Sequence, residues 1–80
     1  MNKYNVGDLV WIPDGTTNYT ENLLISLPFK GPACGLVLKA FCAHRQEKKK
    51  DWLKIQVKNH IYIIKEKNVR KIEDEETVYG

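Results

Sequence analysis

Asp51-Trp52-Leu53-Lys54-Ile55-Gln56-Val57-Lys58 alternates polar and apolar residues. Successive side chains of a strand point to opposite faces, so this pattern predicts Leu53, Ile55 and Val57 inward and Trp52, Lys54, Gln56 and Lys58 outward. Beyond it, Asn59-His60 reads as a two-residue turn and Ile61-Tyr62-Ile63-Ile64 as the next strand. Lys65-Glu66-Lys67-Asn68 is too short for an α-helix and fits one 3₁₀ turn, and Val69-Arg70-Lys71-Ile72 forms a last short strand. Before the opening stretch lies Ala33 to Ala43, a strand block with Gly35 inside it, a residue that marks a bend or a close backbone approach. Leu36, Leu38, Ala40 and Cys42 share one face of this block, and Val37, Lys39 and Phe41 the other. The first strand is Asp8-Leu9-Val10-Trp11-Ile12, ended by the turn signal Pro13-Asp14-Gly15, in which Pro presets φ and Gly supplies a positive one.

Two connections differ in character. His44 to Lys50 is charged. Residues 14–32 begin polar and end apolar, with Leu23, Leu24, Ile25, Leu27 and Phe29. Pro28 and Gly31-Pro32 argue against a long helix or central strand there. A connection this long without regular structure is uncommon, so it is expected to fold back on the body, its Leu/Ile cluster a lid on the core.

Eighty residues make one domain with a thin core. No apolar run of about 18 residues exists, so no membrane span is expected. The residues after Met1 lack the apolar stretch of a signal peptide, which makes a chain that stays in the cytoplasm, or in a particle assembled there, the expectation. Four of the ten acids lie at Glu73-Asp74-Glu75-Glu76; before them stand thirteen basic and six acidic residues, a balance of +7. A basic body with an acidic tail suits polyanion binding that the tail can mask. Cys34 and Cys42, eight residues apart in one strand, would stand roughly 26 Å from each other, beyond disulfide reach. Both read as small buried apolar residues.

The strand order resembles the SH3-like small barrel. Val6-Gly7-Asp8-Leu9-Val10 is similar to the strand opening of bacterial and phage members, Asp51-Trp52-Leu53 to the start of the third strand, and Tyr62-Ile63-Ile64 through Val69 to the fourth strand, 3₁₀ turn and fifth strand. The resemblance implies an all-β, five-stranded SH3-like barrel over residues 1–73, with a long first loop, a 3₁₀ turn before the last strand, and an acidic tail over 74–80. The peptide-binding SH3 domains carry Ala-Leu-Tyr-Asp-Tyr, a Pro before the 3₁₀ turn and a Tyr after it. Here the first is absent, Ile64 stands near the Pro position and Asn68 near the Tyr position, so Pro-rich peptide recognition is not carried over. KOW and Tudor domains share the barrel and bind RNA, ribosomal proteins or methylated side chains, but no set of aromatics for a methyl-ammonium cage is visible. The opening Tyr4-Asn5-Val6-Gly7-Asp8-Leu9-Val10-Trp11-Ile12-Pro13 also resembles small tailed-phage proteins, which implies a virion or assembly component.

Little points to catalysis. There is no Gly-rich phosphate loop, and Ser26, the only serine, sits in the apolar part of the long connection. His44 and His60 fall on expected turns, and with Cys34 and Cys42 they lack the close ligand pairs of a zinc site. The carboxylates Asp8, Asp14, Glu47, Asp51 and Glu66 are scattered over strand ends and loops. The expectation is a chain that is not an enzyme, with no cofactor, no metal and no small-molecule substrate. Two surface features remain. The apolar one, Trp11, Leu24, Ile25, Leu27 and Phe29 with Trp52 next, points to contact with other protein subunits of an assembly. The basic one, Arg45, Lys48, Lys49, Lys50 and Lys54 with Trp52 as a stacking face, is the alternative, a nucleic-acid-binding barrel. The bland reading of the lysines is a solubilising charged face.

Overall fold

The computed structural model describes residues 4–42 and 50–72. Seven strands form one antiparallel sheet: β1 Leu9–Ile12, β2 Thr17–Tyr19, β3 Ser26–Pro28, β4 Ala33–Phe41, β5 Trp52–Val57, β6 His60–Lys65 and β7 Arg70–Lys71. Their order across the sheet is β3-β2-β6-β5-β4-β1-β7. A 3₁₀ turn, Glu66–Asn68, links β6 to β7. The chain is all-β as expected, but the sheet has seven strands rather than five and is not closed into a barrel. Its edges are β3, which ends in Pro28, and β7, which is only two residues long. Proline cannot donate to a ladder, so it suits an edge strand.

The two additional strands come from residues 14–32, expected as a loop without regular structure. Gly15, at φ 84°, turns the chain after Pro13, and the Thr16 amide and hydroxyl both donate to the Pro13 carbonyl, at 3.2 and 2.7 Å. The segment then doubles back as a hairpin in which Thr17, Asn18 and Tyr19 face Pro28, Leu27 and Ser26. Its base is tied by Gly15 N–H to the Phe29 carbonyl and Phe29 N–H to the Thr16 carbonyl, each 2.8 Å, and by Gly31 N–H to Asp14 Oδ1 at 2.9 Å. β2 extends the sheet by pairing Tyr19 with Ile63 of β6.

A sheet with no helix on it must bury one face against its own loops. Val10, Ile12, Val37, Leu53, Ile55 and Ile64 supply that face, and Tyr4, Phe29 and Val69, all outside the strands, close over it. Leu53 and Ile55 point inward as the alternation predicts, and Val57 packs half-buried against the same cluster. Gly35 lies in β4 where the sheet is tightest: a Cβ there would overlap Ile55 Cγ2 and stand 3.1 Å from Val57 Cγ2.

One irregularity re-phases β4. Val37 pairs with Ile55 but Lys39 with Lys54, so Leu38 is an extra residue in a bulge. Before it Val37 points into the core; after it Ala40 does, opposite Leu53. The expected face of Leu36, Leu38, Ala40 and Cys42 therefore does not exist as one surface. Lys39 and Phe41 join Lys54 and Trp52 on the outer side. The β5–β6 turn is Lys58-Asn59, with Lys58 at φ 56°, one position earlier than the expected Asn59-His60, and His60 already pairs with Val57 as the first residue of β6. Cys34 is exposed and Cys42 half-buried, and both are free thiols. The expected burial fails for Cys34 because, paired with Trp11, it faces outward, and is only partly met by Cys42.

Candidate functional surface

The hairpin splits the expected apolar contact set in two. Phe29, at its base, is 4% exposed and meets the Tyr62 ring edge-to-face at 5.0 Å between centroids. It is a core residue and has no surface to offer. Leu24, Ile25 and Leu27, toward the tip, are 81%, 55% and 57% exposed. They do not form the lid expected of them. The two-strand hairpin pairs within itself and, through Tyr19, with β6, so it is held to the sheet without lying over the core.

The tip has defined geometry. Thr20 N–H donates to the Ile25 carbonyl at 2.9 Å and Leu23 N–H to the Thr20 carbonyl at 2.8 Å. The Asn22 side-chain oxygen accepts from the Thr20 hydroxyl and from the Leu24 amide at 3.0 Å, an Asx-type arrangement. Leu23 is held at φ 61°, a left-handed conformation that costs a β-carbon-bearing residue about 1–2 kcal/mol. The turn thus fixes its backbone while presenting large apolar side chains to water.

Trp11, the remaining member of the set, is exposed on the outer sheet face opposite Cys34, and Leu9 and Leu36, also exposed, pair beside it. In an antiparallel ladder directly opposite residues share a face. The next pairs, Leu36 with Gln56 and Gln56 with Ile61, carry this row to β6, where Ile61 is again exposed. Sequence reading missed Leu9, Leu36 and Ile61, because only the register brings them into one row.

Trp52 is common to both expected sites and serves neither as a free ring. It lies on the outer face, as the alternation requires, yet is 8% exposed. Tyr19 packs edge-on to it at 5.0 Å, Phe41 stacks on it at 6.5 Å with planes 27° apart, and the Lys65 ammonium sits 5.1 Å from its ring centre. The hairpin and the bulge bring these neighbours over it. Of the expected basic set, Lys50 is exposed and Lys54 half-buried; Arg45, Lys48 and Lys49, like the 74–80 tail, lie outside the described residues. The bulge places Lys39 directly opposite Lys54, and a groove of about 200 Å³ opens there, lined by Glu21, Lys39, Phe41, Lys54 and Ile63.

Among the described residues, no group of three or more His, Cys, Asp or Glu side chains could hold a metal ion. Among the same residues, no helix is long and apolar enough to cross a membrane. A second concavity, bordered by Asp51, Lys65, Glu66 and Lys67, contains two acids and two bases and so has no net charge preference. Comparison with known proteins finds no matching family model, no similar curated protein and no similar solved structure.

Proposed function

We propose that the chain is a non-enzymatic protein-interaction module, a component of a larger assembly, and that it docks through the tip of the β2–β3 hairpin. The observation that carries this reading is the tip itself: Leu24, Ile25 and Leu27 exposed on a turn whose backbone is held by Thr20 and Asn22. A flexible loop would lose entropy on docking, whereas a fixed turn is already organised for an apolar pocket. Leu24, Ile25 and Leu27 are the contact residues, with Trp11 on a separate patch; Phe29 and Trp52 support the fold instead.

The fold is read as an SH3-like small barrel opened and extended by this hairpin. The tight β5–β6 turn, the 3₁₀ link and the return of β7 to β1 support that reading. The tailed-phage resemblance of the Tyr4–Pro13 opening supports a virion as the kind of assembly concerned. Nucleic-acid binding is the weaker reading, because Trp52 is covered and has no face on which a base could stack.

The test is site-specific photo-crosslinking in extracts of the native source, with the crosslinker at position 24 or, as control, at Asn59 in the β5–β6 turn. A discrete adduct unique to position 24, lost when Ile25→Asp and Leu27→Asp are added, is the expected result. Indistinguishable adduct patterns from the two positions would overturn the proposal.

A further inference from the structure

We propose that the groove between Lys39 and Lys54 is a carboxylate-binding site, and that it takes an acidic side chain with an apolar neighbour from a partner protein. This deepens the docking reading and rests on it, because Glu21, at the groove's rim, belongs to the same Thr20–Ile25 turn as Leu24.

The site is a product of register. Lys39 of β4 pairs with Lys54 of β5, Lys54 with Ile63 of β6, and Ile63 with Tyr19 of β2, so one row crosses four strands. Like charges directly opposite in an antiparallel pair repel, because their Cβ atoms stand only about 5 Å apart. No ion pair within the described residues relieves either lysine; the one ion pair formed there joins Lys71 to Asp8 at 3.3 Å. The third lysine of this face, Lys65, is held over Trp52. Lys39 and Lys54 therefore line a single opening, neither in an ion pair with another described residue.

The walls narrow the choice of anion. Ile63, almost fully buried, and Phe41, half-buried, give the groove an apolar side, and Phe41 is held against Trp52. Its volume of about 200 Å³ is below that of sites for drug-sized molecules but accommodates one amino-acid side chain and part of its neighbour. Two lysines and one glutamate leave a net charge of +1, which one carboxylate neutralises. A nucleic-acid backbone brings a run of phosphates past Glu21 and would be repelled there. A partner with an acidic residue beside an aliphatic one satisfies the lysines and the apolar wall together, next to the pocket that receives Leu24.

The probe is the blocked tripeptide Ac-Leu-Asp-Leu-NH₂, titrated into the ¹⁵N-labelled full chain, with Ac-Leu-Asn-Leu-NH₂ and a short oligothymidylate as comparison arms. Saturable shifts at the amides of Lys39, Phe41, Lys54 and Ile63 are expected with the Asp peptide. The Asn peptide should bind about 1.5- to 5-fold more weakly, as loss of a solvent-exposed charge contact predicts. Lys39→Gln and Lys54→Gln, whose spectra should otherwise overlay the wild type, should weaken the Asp peptide by a similar factor. Equal binding of the two peptides, an unchanged response in both variants, no saturable shift at all, or tighter binding of the oligothymidylate at these amides would each overturn the proposal. If such a failure accompanies a specific crosslink at position 24, the carboxylate site falls and the docking tip stands. If the crosslink fails as well, both fall.

Discussion

Phe29 and Leu24 lie five residues apart in one hairpin, and the structure assigns them opposite roles that stability measurements can separate. Phe29→Ala removes a ring that is 4% exposed and packed edge-to-face on Tyr62. Such truncations cost about 3–5 kcal/mol, of which the ring pair accounts for about 0.5–1.5 kcal/mol. A domain of this length has about 4–12 kcal/mol of stability in total, so the variant loses about a quarter of it or more. Leu24→Asp acts on a side chain that is 81% exposed. With only about a fifth of a leucine's burial to lose, it costs about 0.5 kcal/mol. Urea unfolding followed by fluorescence of the buried Trp52 is the assay. At a slope of about 1 kcal/mol per molar, the midpoint should fall by about 3–5 M for Phe29→Ala and by about 0.5 M for Leu24→Asp. If Phe29→Ala leaves too little folded protein to measure, Phe29→Leu keeps most of the volume and should cost about 1 kcal/mol. A Leu24→Asp cost above about 2 kcal/mol would mean that the tip packs on the body, and the division of the hairpin into anchor and contact surface would be wrong.

Three further outcomes follow from the same contacts. Gly35→Ala should cost about 1–2 kcal/mol, because overpacking against Ile55 and Val57 outweighs the entropy that alanine removes from the unfolded chain; calorimetry should show a melting temperature lower by roughly 5–15 °C, and an unchanged one would contradict the close approach. Lys39→Gln should raise stability by about 0.2–1 kcal/mol by removing the charge opposite Lys54, and the gain should shrink in high salt; a salt-independent gain would assign it to packing instead. Tyr4 has its hydroxyl pKa raised above 10.0, first by burial and then by the charges of Glu66 and Asp8. The folded state therefore holds that proton more tightly than the unfolded one, so Tyr4's contribution is complete below pH 10 and declines as pH rises further. Tyr4→Phe should flatten the stability profile above pH 10, and an identical slope in both proteins would refute the assignment.

The fold was legible where one face of a strand is buried and the other is wet. Leu53 and Ile55 reveal β5 because the period-two pattern records the side on which the core lies. The same logic failed in β4, where Ala33 to Ala43 is apolar on both expected faces and a bulge can reverse the phase without leaving a mark in composition. It failed in residues 14–32 for a related reason: β2 and β3 are three residues each, too short for alternation to show, and their turn uses Leu23 at positive φ where a glycine would have announced it.

The candidate surfaces were legible as residue types and not as positions. An apolar run from Leu23 to Phe29 can be read in one dimension, but whether each side chain is anchor or contact depends on where the hairpin crosses the edge of the core. The crossing falls between Pro28 and Phe29, where exposure changes from open to buried within one residue. Trp52 shows the reverse effect. Alternation correctly puts it outside, yet the hairpin and the re-phased end of β4 build a second, smaller shelter around it from Tyr19, Phe41 and Lys65. The bulge that brings Phe41 to Trp52 also sets Lys39 against Lys54. Deletion of Leu38 would make the pairing regular with the same partners, Val37 with Ile55, Lys39 with Lys54, Ala40 with Leu53 and Phe41 with Trp52, and would keep Val37 and Ala40 in the core. The ring shelter and the charged groove are thus two results of one register, so the Leu38 deletion should leave Trp52 fluorescence as shielded as before, and a deletion that exposes the ring would count against the origin argued for both.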